Sequence, residues 1–228
     1  MSPHRNSRRC LHWIVACSIL GPGCATRPER PPAERIRALP FTERELDAVA
    51  SFASGGELTF VERLATGGDR TVLVTKVDAP PSLVREVVLD ADAYDDFVPQ
   101  VVSSETLEAS KTNRRIELEI EVPLSNFVYQ LDYDSSDRES VNVSCAEGAF
   151  EGSQWRWDFL PLDDGSSTLL SYSSAMRIGN SNILLNQILA FHPDMETGFS
   201  FSSGLALLRA MKAEAERRST ETKDLADD

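Results

Sequence analysis

From Arg115 to Val122 the chain reads Arg-Ile-Glu-Leu-Glu-Ile-Glu-Val, with acids at every second position and aliphatics between them. Side chains alternate across a strand, so this stretch has one wet face and one apolar face, as a half-buried antiparallel strand does. Period-two patterning recurs along the chain. Leu58 and Phe60 alternate with polar neighbours, and Thr71 to Val77 follows the turn Gly67-Gly68. Beyond Pro123-Leu124-Ser125, Phe127, Tyr129, Leu131 and Tyr133 share a face, and Arg138 to Cys145 comes after a Ser-Ser-Asp turn. Trp155, Trp157 and Phe159 then alternate with Gln154, Arg156 and Asp158. Past Asp163-Asp164-Gly165, the run Thr168 to Ile178 aligns Leu170, Tyr172, Ser174 and Met176. The connections suit neighbouring antiparallel strands. The pattern predicts one strongly curved sheet of about seven strands with one apolar face.

Such a face has to be covered. Met195 to Arg217 carries Phe201, Leu205, Leu208, Met211 and Ala215 at spacings of 4, 3, 3 and 4, with charged residues elsewhere. This is an amphipathic helix of about 35 Å, long enough to cross a sheet. Asp194 near its start and Arg209, Lys212, Arg217 and Arg218 toward its end suit the helix dipole. The expected class is α+β, with the sheet wrapped around this C-terminal helix. A short apolar helix, Ile183 to Ala190, is expected before it, and the polar, acidic stretch Ser219 to Asp228 is expected to be disordered.

The segment Val77 to Glu108 fixes the other corner. Asp78-Ala79-Pro80-Pro81 ends the strand before it, because two prolines remove backbone donors. Ser82 is a plausible N-cap, and Leu83, Val84, Val87 and Val88 form one stripe of a short helix. The acidic, aromatic run Asp90 to Phe97 closes at Val98-Pro99, and a β-type run, Val101 to Leu107, follows. A strand, two short helices and a second strand thus fit into about forty residues.

Asp78-Ala79-Pro80-Pro81, Val84, Val87 and Val88, then Asp92, Tyr94, Phe97-Val98-Pro99 and Val101-Val102-Ser103-Ser104, resemble the opening of the polyketide cyclase / START-like (SRPBCC) superfamily, in its coenzyme Q-binding-protein-like branch. The helix departs from the family pattern at Arg85, where a Trp is usual. The resemblance extends to about Glu216. It implies a helix-grip fold with a cavity between sheet and helix that holds lipids, quinones, sterols or polyketides, and in a few members performs catalysis. On that reading the START-like domain spans 57–218.

The start of the chain has another logic. Arg5, Arg8 and Arg9 precede the apolar run Leu11 to Leu20 and the small-residue site Gly21-Pro22-Gly23-Cys24-Ala25. This reads as a bacterial signal peptide over 1–23, too short to span a bilayer. Gly23-Cys24 points to a lipoprotein with lipid on Cys24, and Gly21 three residues before the cysteine, where Leu is usual, leaves simple secretion near Ala25 as the alternative. Ser7-Arg8-Arg9 also resembles a twin-arginine start. The expected location is the cell envelope, facing the periplasm or outer membrane. Residues 24–40, with Pro28, Pro31 and Pro32, read as a tether. Residues 41–56 read as a short helix packed on the outside, opened by the capping box Thr42-x-x-Glu45 and stopped at Ser54-Gly55-Gly56.

Charge and inventory narrow the function. Losing Arg5, Arg8 and Arg9 would take the formal charge from −13 to about −16, which makes nucleic acid a poor partner. Cys145 is the one cysteine past Cys24 and reads as a buried, inert thiol. His192, in Phe191-His192-Pro193-Asp194, has no triad or metal-ligand spacing around it, and Asp92, Asp95 and Asp96 lack the spacing of a calcium loop. They read as a solvated loop at a cavity mouth. No catalytic residue, metal or cofactor is assigned. The inward faces contribute Leu118, Ile120, Tyr129, Tyr133, Trp155, Trp157, Tyr172, Met176 and Leu205 as candidate ligand-binding residues, although for any single one of them core filling is the favoured role. The chain is therefore expected to carry or sense a hydrophobic small molecule while tied to a membrane through Cys24. A cyclase- or dehydratase-type enzyme and a cavity-less protein-interaction module are the alternatives, and the oligomeric state stays open.

Overall fold

The computed structural model describes residues 36, 41–65, 68–122, 125–178, 191–192 and 194–227. The expected signal peptide with Cys24, the tether apart from Ile36, and the short helix 183–190 lie outside these residues. Helix α1 (Glu43–Ala53) opens the described fold. Thr42 and Glu45 close its capping box, the Glu45 carboxylate accepting the Thr42 backbone N–H at 2.8 Å. β1 (Leu58–Arg63) and β2 (Asp69–Val77) form a hairpin that stops at the proline corner. α2 (Pro81–Leu89), a 3-10 turn (Ala91–Ala93) and α3 (Tyr94–Phe97) follow. Then come β3 (Val101–Ala109), β4 (Asn113–Val122), β5 (Ser125–Asp134), β6 (Ser140–Gly148), β7 (Gln154–Leu162) and β8 (Ser167–Ala175), and last the long helix α4 (Asp194–Asp227).

Among the described residues the strands make one antiparallel sheet of eight, in the order β1-β2-β8-β7-β6-β5-β4-β3. The count exceeds the expected seven because β3 is a full edge strand. The β-type run expected from Val101 joins the sheet there, exposed along most of its length and with two register shifts against β4. Ser82 is not the cap of α2 either. Pro80 takes that place with Pro81 in the first helical position, where a missing N–H costs nothing. Arg85, at the expected Trp position, donates to the Ser135 carbonyl at 2.7 Å and so ties α2 to the β5–β6 turn.

The expected disordered tail is also corrected. α4 runs to Asp227, 34 residues or roughly 50 Å. Arg217 pairs with both Glu214 and Glu221, one turn apart on either side, and Ser219 is buried. Helical i,i+4 pairing and a docked residue hold a polar stretch that composition alone assigns to disorder.

The sheet has two differently used faces. On the concave side Ile116, Leu118, Phe127, Leu131, Val143, Trp155, Trp157, Phe159, Leu170 and Tyr172 form one core with α2 and α4. On the convex side α1 buries Val49 and Ala53 against Val72, Val74 and Leu169. Curvature is helped by a register shift between β5 and β6. Gly148 lies there at φ 99, where a Cβ would meet the Val128 carbonyl oxygen at 2.4 Å. Glycine is required at that approach.

Candidate functional site: an uncharged cavity under the C-terminal helix

α4 is clamped along its length. Ser200 donates to the Ser174 hydroxyl at 2.9 Å, and Thr197 donates to Asp69 at 2.7 Å. Lys212 donates to the Lys76 carbonyl at 2.7 Å, and Arg218 donates to Asp90 at 2.7 Å. Gly204 lets the helix press on the sheet, since a Cβ there would meet Tyr172 Cε1 at 2.7 Å and Leu73 Cδ1 at 3.1 Å. Leu208, Met211 and Ala215 are fully buried beyond it. On the flank of α4 that carries Phe199, Ser203, Ala206 and Leu207, the sheet curves away and a cavity of about 100 Å³ opens.

Eight of the nine candidate residues line this cavity. β4 provides Leu118 and Ile120, and β5 provides Tyr129 and Tyr133. β7 provides Trp155 and Trp157, β8 provides Tyr172, and Met176 follows β8. Leu205 does not line it; it lies on the opposite flank of α4 and packs on the core. Sequence reading missed Tyr94, Gln100, Phe150 and the four α4 residues. The stripe Phe199, Ser203, Ala206, Leu207 has helical spacing and was legible, but it runs beside a more apolar one. Phe150 stands in the turn after β6, outside any period. It is held edge-on to Tyr129 at 4.9 Å and stacked on Phe199 at 6.0 Å. Gln100, at the exposed rim, has φ 74, a left-handed backbone that is uncommon outside glycine.

Among the described residues no charged side chain lines the cavity. Burial holds the phenols of Tyr94, Tyr129 and Tyr172 well above their ordinary range and pushes Tyr133 up to about 12, with Tyr94 beside it pulling down. All four are neutral donors near pH 7. The Tyr94 hydroxyl donates to the Val88 carbonyl at 2.5 Å. That of Tyr172 lies by Ser174 and Trp155.

The other candidate groups are elsewhere. Cys145 is buried, its thiol raised to about 12 by burial, and it does not line the cavity. His192 is exposed. Asp92, Asp95 and Asp96 stand on short helical turns, not on a loop, and the Asp92 carboxylate accepts the Thr106 backbone N–H at 2.7 Å. Among the described residues no three His, Cys, Asp or Glu side chains come together to hold a metal. A wider hollow of about 640 Å³ lies around Ile36 and the β3–β4 and β5–β6 ends. Its walls mix charged groups, such as the Arg115–Asp132 pair at 2.7 Å, with Ile36, Val143 and Trp155.

Comparison with known proteins agrees with this architecture. Residues 77–189 match the family described as polyketide cyclase / dehydrase and lipid transport. The aromatase/cyclase Zhui from Streptomyces sp. R1128 is 21% identical with a TM-score of 0.53, covering 65% of this chain and 94% of its own. A Thermus thermophilus protein is 15% identical with a TM-score of 0.55, covering 66% and 99%. A STAR-related lipid transfer protein from Xanthomonas axonopodis is 19% identical with a TM-score of 0.51, covering 71% and 94%. No curated protein matches in sequence. Strand order and gripped helix give this chain the helix-grip fold, and its segment 77–189 carries the match to the polyketide cyclase / dehydrase and lipid transport family.

Proposed function

We propose that the chain binds a hydrophobic small molecule between the sheet and α4 and carries or senses it without transforming it. The observation that carries this is the lining: aromatic and aliphatic walls with no carboxylate, imidazole, amine or thiol among the described residues. General acid–base catalysis needs a group whose pKa lies near the working pH, and buried phenols do not meet that need. The family description spans both lipid transport and cyclisation, and a cluster of phenols that could polarise a carbonyl is what favours the second reading. Carriage asks less of these residues. At about 100 Å³ the cavity takes one ring-sized portion of a ligand, comparable with the roughly 150 Å³ space that holds benzene in another protein. The rest of a longer molecule emerges past the Gln100 rim.

The same proposal places the protein in a bacterial cell envelope. The basic start, the apolar run Leu11 to Leu20 and Gly23-Cys24 support export and lipid attachment at Cys24. One acyl chain holds a membrane only marginally, so a multiply acylated cysteine is expected. Native mass spectrometry on the full chain, extracted from membranes in mild detergent, tests both parts. The expected spectrum shows acyl mass on Cys24 and a separable apolar adduct. A bare chain from the soluble fraction, with no affinity for apolar dyes, would sink both.

A further inference from the structure

The wide hollow beside Ile36 lies on the outer face of the sheet, away from the cavity under α4. Arg115 pairs with Asp132, Asp132 with Ser144, and Ser144 with Gln154, and this row has the opposite parity to Ile116, Leu131, Val143 and Trp155 of the concave core. α1 sits on the same outer face, over Val72, Val74 and Leu169. Ile36 lines the hollow and is only 6% exposed. A buried isoleucine on an outer sheet face is a seated side chain, since returning it to water forfeits its transfer free energy. Charge agrees with that seat. Arg35 and Arg37 flank Ile36, and residues 35–40 contain no acid, a net +2. The charged walls of the hollow are Glu108, Asp132 and Asp134 against Arg114 and Arg115, a net −1 (2 − 3). Glu117 and Glu119 share the parity of Arg115 and continue the acidic row along the outer face of β4. Reach agrees as well. From Ile36 to Thr42 the chain has six steps, about 20 Å at full stretch, and neighbouring strands stand about 4.8 Å apart. Asp158 and Ser171, paired on the outer face between the hollow and α1, are both buried.

We infer that the outer hollow is a docking groove for the chain's own segment 35–40, with Ile36 as its apolar plug and the arginines on either side matched to an acidic face. Docking leaves residues 25–34 as the leash to Cys24, about 40 Å at full stretch. It also sets the end of the sheet from which the leash departs. The hollow adjoins the β3–β4 turn at Glu108, whereas Gln100 stands at the start of β3, eight residues or about 26 Å away along the strand. The cavity rim therefore lies at the end remote from the attachment, and a bound molecule would be exchanged on the side facing away from the membrane. That last consequence rests on the proposed lipid and ligand. The docking itself stands on Ile36 and the charges around it.

Trypsin cleaves after arginine, so the Arg37–Ala38 bond reports whether the segment is docked. Cleavage is followed by mass spectrometry on the full chain, and each rate is divided by that of the same bond in a free 30–42 peptide carrying the same substitution. Ile36→Ser is expected to be cut at least about tenfold faster than the unaltered chain, because cleavage tracks the opened population and the plug is what closes it. Glu108→Lys reverses one wall charge and leaves the segment untouched, and it is expected to be cut about twofold to fivefold faster. Ile36→Val keeps the plug and should stay slow. An unchanged near-ultraviolet dichroism spectrum reports that each variant is folded. Equal normalised rates for the unaltered chain and Ile36→Ser would overturn the docking. Fast cleavage of Ile36→Ser with no response to Glu108→Lys would overturn the charge match. Neither result bears on the apolar ligand or the lipid, which the native mass spectra test separately.

Discussion

The two halves of α4 do different work. From Leu208 to Ser219 its inner positions are sealed: Leu208, Met211 and Ala215 have no exposed surface, and α2 presents Val84, Val87 and Val88, equally buried, to the same core. From Phe199 to Leu207 the cavity-side flank is only half buried, because the facing wall of Tyr129, Trp155 and Tyr172 lies on strands that curve away. The partner of the sealed half is a short helix of valines, which meshes with another helix at close range. The partner of the open half is a bent sheet, which a straight rod cannot follow. A single element therefore provides an anchored end that supplies stability and a propped end that leaves room. Gly204 sits at the junction, where the missing side chain lets the rod lie against Tyr172 and Leu73.

Substitutions along the helix should separate these roles. The largest effect belongs to the sealed half: Met211→Ala should cost about 2–5 kcal/mol in chemical denaturation while leaving apolar-dye affinity in the folded fraction unchanged. Equal loss of stability and affinity would mean that the two halves are not independent. Gly204→Ala comes next. Its Cβ, 2.7 Å from the Tyr172 ring, forces the helix to lift or the ring to turn, at a cost of about 1–3 kcal/mol and with a change in dye affinity as the cavity is reshaped.

A smaller effect comes from pH at the anchored end. The Arg217 guanidinium beside Glu214, with help from Arg218, holds the Glu214 carboxyl at about 2, below its ordinary 4.5. A group whose folded value is depressed adds stability above its ordinary value and loses it as pH falls toward the folded one. Melting temperature should therefore decline between about pH 4.5 and 2, and Glu214→Gln should flatten that limb without touching the cavity. An unchanged limb would move the acid sensitivity elsewhere.

Much of this contrast was legible before the structure. Alternation in Arg115–Val122 gave β4, Pro80-Pro81 gave the end of β2, and Thr42-x-x-Glu45 gave the start of α1, because each pattern concerns neighbours a few residues apart. Eight of the nine inward residues reached the cavity wall for the same reason, since strand alternation fixes which face a side chain takes. Leu205 failed for a different reason. Helical spacing marks an apolar stripe but not which flank of the stripe meets packing and which meets space. That depends on the rotation of α4, set by long-range contacts such as Gly204 on Tyr172, Arg209 with Glu57 and Arg218 with Asp90.

What the amino-acid order determined by itself was therefore local: strand faces, helix stripes, caps and the proline corner, each governed by backbone geometry over a turn or less. Its net charge of −13 also made nucleic acid a poor expected partner. Only the tertiary structure decided where the void would lie, that Phe150 would join its lining against Phe199, and that the acidic tail would continue α4. Those outcomes depend on how a curved sheet and a straight helix fail to coincide, a mismatch between elements distant in the chain.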